Sequence, residues 1–291
     1  MQNTGILMGI DLGGTQVRAG LVQNGQLLKK ASARIAGLST EGAVLDRICS
    51  LMEELGMAGV SGVGIGVPSI VDVKRGIVYD TVNIPSWKEV YLKDFLEGKY
   101  GIPVWVNNDA NCFALGEQRY GAGAGCSNLA GVTIGTGLGT GVILDGNLFS
   151  GTHCGAGEIG NIGYKDATIE TYASGSYFPK ECGQSGESLL QRAQDGDEVA
   201  KAFFHVYGHH LGQALLMILY AYDPEMIVLG GSVIQSYSFF EKGMRESLAA
   251  CVFPHSLQTL RIECSRTKDI AIIGASCLAG DVDPAGKQAS L

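Results

Sequence analysis

The stretch Gly5-Ile-Leu-Met-Gly-Ile-Asp11, followed by Leu12-Gly13-Gly14-Thr15 and then Gln16-Val-Arg-Ala-Gly-Leu-Val22, decides the fold. Its first part is apolar almost throughout and reads as a buried strand. Gly13 and Gly14 turn the chain, residues 16–22 read as a second strand, and Asn24-Gly25 is a strong hairpin signal into a third. The glycine turn therefore joins two strands. A Walker loop or a dinucleotide fingerprint requires a strand, a glycine loop and then a helix, so this turn is neither. It still presents backbone N–H groups and the Thr15 hydroxyl, which can converge on phosphate oxygens. Asp11, at the end of the first strand, is a hard oxygen donor suited to a hydrated divalent cation.

The same pattern returns further along. Residues 129–135 read as a strand, 136–139 as a Gly-rich turn and 140–144 as a strand, with Asp145-Gly146 as a second hairpin turn. The segment Gly135-Thr136-Gly137-Leu-Gly-Thr-Gly141 fails the dinucleotide spacing, because Thr140 stands where the last glycine belongs. The chain thus carries a weak internal repeat centred near residues 13 and 137. Between the copies, Ser39 reads as the N-cap of an amphipathic helix. Val44, Leu45, Ile48, Leu51, Met52 and Leu55 share one of its faces, and Gly56 stops it. Residues 60–67 and 103–107 read as strands and 111–120 as a helix. After the second copy, a long helix over 197–222 is broken at Asp223-Pro224. Met226–Leu229 is a short buried strand running into Gly230-Gly231, a last helix lies near 269–279, and the polar tail at 281–291 is expected to fray. Alternating strands and helices without a linker indicate an α/β protein whose two halves pack around a cleft.

Composition narrows the function classes. The length of 291 residues is a soft prior for two domains. Glycine numbers 43 without a G-X-Y period, which excludes collagen and points to tight turns and close approach of the backbone to a ligand. A net charge of −8 argues against sequence-independent binding of nucleic acid. The longest apolar run, Ala214 to Tyr222, has nine residues, against about 20 needed to cross a bilayer, so no membrane association is expected. Residues 1–4 lack the features of a signal peptide. Eight cysteines with no C-x-x-C, mostly among apolar neighbours, read as reduced thiols in a cytoplasmic protein.

Two acidic residues stand out. In Asn107-Asn108-Asp109-Ala110-Asn111, a strand gives way to a helix. A carboxylate there is kept ionised by the helix dipole and can take the proton of an attacking hydroxyl; the plainer alternative is an N-cap. Glu158, among the glycines of Gly155-Ala-Gly-Glu-Ile-Gly-Asn161, is either a solvated turn residue or, with Asn161, an acceptor of vicinal hydroxyls. His205 and His209 stand i,i+4 on a helix, a spacing that can bind metal. With no third ligand nearby in sequence, they read as helix-surface residues.

Asp11–Val22 resembles the first phosphate motif of the ROK sugar kinases, glucokinase-like members of the actin/hexokinase/Hsp70 ATPase superfamily. Gly135–Gly141 resembles their second phosphate motif, and Asp223-Pro-Glu-Met-Ile-Val-Leu-Gly-Gly-Ser232 their adenosine motif. The resemblance spans about residues 5–280 and keeps the order of motifs. It implies two ribonuclease-H-like (actin-like ATPase) domains around an interdomain cleft: 1–115 completed by the last helix, and 116–268. It implies ATP and Mg²⁺, with ATP contacts from Asp11, Gly13, Gly14, Thr15, Gly135, Thr136, Gly137, Gly230 and Gly231, and Mg²⁺ near Asp11 through water. In this family the Asp of N-D-x-N is the catalytic base and the Asn before it binds the sugar, roles that pass to Asp109 and Asn108. Sugar contacts pass likewise to Glu158 and Glu170. Asn83 is added from Asn83-Ile-Pro-Ser-Trp87, which is similar to a stretch near the sugar pocket, although it also reads as a turn residue. The implied activity is phosphorylation of a hexose or N-acetylhexosamine, at the terminal CH₂OH, by a homodimer.

This sequence departs from the family pattern at two places. Asn161 replaces the His that follows G-E-x-G, and the run from Asn161 to Glu170 has none of the cysteines of the family's zinc loop. A zinc site needs several close ligands, so no zinc is expected and the loop must be held by packing, with Tyr164 a candidate. Asn161 can still bond a sugar hydroxyl, so the departures bear on the substrate rather than the chemistry. The rival reading is a sugar-sensing regulator. Some ROK relatives are repressors with an N-terminal DNA-binding segment, but the first strand here begins by residue 5, and the chain is acidic.

Overall fold

A computed structural model describes residues 5–280, and the tail expected at 281–291 lies outside the described residues. The chain opens with strands β1 (Ile6–Leu12), β2 (Gln16–Gln23) and β3 (Gln26–Arg34), helix α1 (Glu41–Leu55) and strand β4 (Val60–Val67). Three short strands, β5 (Ile70–Asp72), β6 (Ile77–Tyr79) and β7 (Glu89–Tyr91), precede α2 (Leu92–Tyr100), β8 (Val104–Asn108) and α3 (Asp109–Tyr120). Next come β9 (Leu129–Ile134), β10 (Leu138–Leu144), β11 (Asn147–Leu148), β12 (Gly163–Tyr164) and β13 (Ala167–Thr168). Helices α4 (Ile169–Ala173), α5 (Tyr177–Cys182), α6 (Gly186–Gln194) and α7 (Glu198–Tyr222) follow. The last described elements are β14 (Met226–Gly230), α8 (Tyr237–Leu248), α9 (Pro254–Thr259), β15 (Arg261–Cys264) and α10 (Ile270–Cys277).

The two five-stranded sheets share one topology, β3-β2-β1-β4-β8 and β11-β10-β9-β14-β15. In the first, β1–β3 pair antiparallel, while β1, β4 and β8 run parallel. In the second, β9, β14 and β15 likewise run parallel. The repeat read from the sequence is therefore structural. Asn24 and Gly25 in one copy, and Asp145 and Gly146 in the other, all take positive φ (50°, 75°, 50° and 78°), as a tight hairpin turn needs.

Helix α1 shows how local rules set an element. All six positions of its predicted apolar face are buried, and Gly56 at φ 93° ends it. The cap is Thr40 rather than Ser39: Thr40 is the last residue in extended geometry, and its side chain accepts from the Ala43 N–H. Such a cap contributes about 1 kcal/mol. Helix α3 begins at Asp109, two residues before the predicted start, because Asn108 caps it. Strand β10 begins at Leu138, which shortens the second glycine turn to residues 135–137.

Contacts divide the chain into two compact units: residues 5–125, 141–156 and 266–280, and residues 126–140 and 157–265. Each has its own core. The first is built around Met8, Ile10, Ile48, Met52, Ile65 and Trp87, the second around Phe178, Phe204, Tyr207, Leu215 and Phe240. All eight cysteines are free thiols.

Candidate functional site

In the first unit, strand register gathers the candidate residues at one sheet edge. Asp11 pairs with Gly66, and Gly66 with Asn107, at the carboxyl ends of the parallel strands β1, β4 and β8. In open α/β sheets, ligands bind at this edge. The Gly13–Thr15 turn closes with the Gly13 N–H donating to Gln16 O at 2.9 Å. A Cβ on Gly14 would stand 2.5 Å from the Cβ of Asn83, so only glycine lets the exposed Asn83 lie against this turn. Asp11 is cross-strand from Arg18 and forms an ion pair with its guanidinium.

The segment from Asn107 to Asn111 is a bonded frame. The Asn108 side chain accepts from Ala110 N at 2.9 Å and Asn111 N at 3.3 Å, so it is the N-cap of α3. Asn107 Oδ1 accepts from Asn108 N at 2.8 Å, Asn111 Nδ2 at 2.9 Å and Cys154 Sγ at 3.1 Å. Asn107 and Asn111 are buried, whereas Asn108 and Asp109 retain partial solvent access. Asp109 is thus the first helical residue rather than the cap. The helix dipole favours its charge, and a second bond to Ala110 N at 2.9 Å orients the carboxylate.

In the second unit, the carboxyl ends of β9 and β14 adjoin, with Gly230 paired to Thr133. The turn at 135–137 is braced from behind. Gly175 N donates to Gly135 O at 2.7 Å, Ser174 Oγ donates to Thr136 O at 2.9 Å, and Leu138 N donates to Glu170 Oε2 at 2.8 Å. A pocket of about 560 Å³ opens beside it, lined by Gly135 and Thr136, by Ser232 and Val233 after Gly231, and by Phe178 and Gln184 of the α5–α6 segment. That volume lies in the range of small-molecule and cofactor sites. Gly231 has φ 91°, and a Cβ there would stand 2.3 Å from Ile134 O. Gly231→Ala is therefore expected to cost about 1–3 kcal/mol through strain and overpacking. A denaturant titration checks this, and an unchanged midpoint contradicts it.

Glu158, Asn161 and Glu170 come together in the same unit. Asn161 Nδ2 donates to Glu158 Oε2 at 2.8 Å. Glu158 and Asn161 are exposed, yet the Glu158 carboxyl is raised from its ordinary value, first by partial desolvation among neighbouring atoms and further by the charge of Glu170, while the Asn161 bond opposes the rise. Glu170 also has a structural role that its motif did not reveal, since it ties α4 to the glycine turn through Leu138.

The loop between Asn161 and Glu170 is held by aromatic packing. Tyr164 and Tyr172 meet edge-on at 5.5 Å, Lys165 Nζ lies 4.9 Å from the Tyr172 ring, and Tyr164 OH bonds His210 Nδ1 at 3.0 Å. Burial, aided by the charges of Lys165 and His209, lowers the His210 pKa from 6.5 to about 4. The unfolded chain therefore takes up this proton near pH 6.5 and the folded one only near pH 4. Stability present above pH 6.5 is lost as pH falls through that window, by up to about 3 kcal/mol. Melting temperatures between pH 7 and pH 4.5 should fall less steeply in His210→Gln than in the wild type; parallel profiles would contradict the assignment.

Sequence reading missed the α5–α6 wall of the pocket, including Gln184 and Glu187. The available signal was the helix-interrupting Gly183-Gln-Ser-Gly186.

The ROK family model matches residues 7–282. The glucokinase of Thermotoga maritima is 28% identical, with the alignment covering 94% of this chain and 96% of that protein. The xylose repressor of Caldicellulosiruptor bescii is 29% identical over 76% of this chain and 62% of its own length. Among solved structures, a ROK family glucokinase from Streptomyces griseus in complex with glucose and AMPPNP gives a TM-score of 0.82 at 28% identity, over 94% of this chain and 99% of that one. The α/β fold expected from the alternating strands and helices is thus the actin-like ATPase fold of the ROK sugar kinases. A family match running from the first strand to the last described helix makes this chain a member of the ROK family.

Proposed function

We propose that this protein is an ATP-dependent kinase acting on a hexose or an N-acetylhexosamine. The observation that supports this most is the state of Asp109. It is a carboxylate at the carboxyl edge of a parallel sheet, relieved of capping by Asn108 and turned by its own bond to Ala110 N. A sugar hydroxyl is a weak nucleophile at neutral pH and needs such a group to accept its proton as the bond to phosphorus forms.

The other roles follow by chemistry. The 560 Å³ pocket, with Phe178 and Val233 as apolar wall and Gln184 as polar contact, suits an adenosine. The turns at 13–15 and 135–137 offer backbone N–H groups to the phosphates. The oxygen donor Asp11 fits hydrated Mg²⁺, although Arg18 competes for the same carboxylate; the ion, when bound, neutralises charge on the phosphates. Asn83, Asn108, Glu158, Asn161 and Glu170 bind sugar hydroxyls. The Asn108 oxygen is committed to the helix cap, so its amide, which also donates to Ser69 O at 3.4 Å, offers its second hydrogen to the sugar. Most of the rate gain comes from positioning and electrostatics.

The raised Glu158 carboxyl has a consequence for pH. It accepts sugar hydroxyls best when ionised, so KM for the sugar should begin to rise at a higher pH on acidification than an ordinary carboxylate would give. Glu158→Gln should flatten that limb of the KM profile. An identical pH dependence in the variant would remove Glu158 from the sugar site.

Similarity to xylose repressors keeps one competing reading, a sugar sensor without turnover. An ADP-release assay over hexoses and N-acetylhexosamines separates the two. A kinase releases ADP in response to at least one sugar, whereas a sensor binds sugar with no change in ADP.

A further inference from the structure

We propose that His205, His209 and Glu246 form a binding site for a divalent transition ion of the Zn²⁺ class, tying α7 to α8 in the second unit. The two histidines lie one turn apart on α7, and the third group comes from α8, far along the sequence. Glu246 Oε2 lies 3.1 Å from His205 Nε2 and 3.2 Å from His209 Nε2, and the three ligand atoms all fall within 4.8 Å of one another.

These separations suit a small tetrahedral ion. Bonds of about 2.0–2.1 Å to imidazole and carboxylate give a tetrahedral edge of about 3.3–3.4 Å. The two His–Glu edges are already within a few tenths of an ångström of that. The ligand set, two imidazoles and one carboxylate, selects Zn²⁺, Co²⁺, Ni²⁺ or Cu²⁺ over Mg²⁺ and Ca²⁺, which require oxygen ligands. The side chains are 36%, 43% and 43% exposed, so an ion can enter and water can take the fourth position.

The site is built on rigid elements. At Gly243 of α8, a Cβ would stand 2.0 Å from His205 O, so the helices touch through backbone beside the first ligand. Lys242 Nζ lies 3.9 Å from Glu246 Oε1, the other carboxylate oxygen, and leaves Oε2 to the imidazoles. The neighbouring His210 points away, to Tyr164. Without an ion, the same atoms make two imidazole–carboxylate hydrogen bonds, which is the alternative the experiment must exclude.

The test uses untagged, full-length protein freed of metal by a chelator. Titration with Co²⁺ is followed by visible absorption, and Zn²⁺ is then added in competition. One equivalent of Co²⁺ should give a tetrahedral spectrum that Zn²⁺ abolishes. A hundredfold excess of Zn²⁺ over its Kd should raise Tm by about 5 °C. His209→Ala and Glu246→Gln, both surface changes checked for fold by circular dichroism, should each weaken binding at least tenfold. Absence of stoichiometric binding, or unchanged affinity in either folded variant, overturns the proposal.

Discussion

Asp109→Ala should fold, bind sugar and ATP, and lower kcat by about 10²–10⁴-fold, the usual contribution of a positioned general base. The frame around it makes this a clean experiment. The cap of α3 is Asn108, and the Ala110 N–H that Asp109 engages is also served by Asn108 Oδ1 at 2.9 Å. Removing the carboxylate therefore leaves the helix start bonded, at a cost of only about 0.3–1 kcal/mol for the lost charge at the dipole. Asn108→Ala should behave in the opposite sense, losing about 1 kcal/mol as an N-cap deletion and raising KM more than it lowers kcat. Steady-state kinetics and thermal melts on the two variants check the pair. Near-wild-type kcat in Asp109→Ala would remove the assigned base.

Trp87→Ala is expected to destabilise the first unit by about 3–5 kcal/mol. Trp87 is completely buried, and its indole Nε1 finds no hydrogen-bond partner among the described residues, so its contribution is packing. It anchors the turn that carries Asn83: Trp87 N donates to Ile84 O at 2.9 Å, and Thr81 N to Trp87 O at 3.0 Å. The variant should therefore show a raised sugar KM as well as a lowered Tm, while Trp87→Phe should retain most of both properties. A large drop in Tm with unchanged KM would separate Asn83 from the sugar.

Much of this is legible in the sequence. The hairpin signals Asn24-Gly25 and Asp145-Gly146 mark backbone that only a few residues adopt, and both turns form. The face of α1 was readable because fifteen residues give four turns of periodicity. Its cap was misread by one position, since Ser39 and Thr40 are both good caps and only the backbone decides between them. A six-residue element such as α5 is too short for periodicity to register, so the pocket wall it begins is marked in the sequence only by the helix-interrupting Gly183-Gln-Ser-Gly186. Glu170 carries a family motif, yet its bond to Leu138 N depends on packing between segments 32 residues apart. The aromatic cluster around His210 and the pairing of His205 and His209 with Glu246 are likewise tertiary, and no local pattern encodes them.

The most direct measurement of the central claim is the chemical identity of the product. The protein is incubated with ATP, Mg²⁺ and each candidate sugar, and the mixture is read by phosphorus NMR. A sugar phosphomonoester is expected to form one-for-one with ADP, on the terminal CH₂OH, from at least one hexose or N-acetylhexosamine, and at least about a hundredfold more slowly with Asp109→Ala. ATP left intact beside a sugar that the protein demonstrably binds would contradict it.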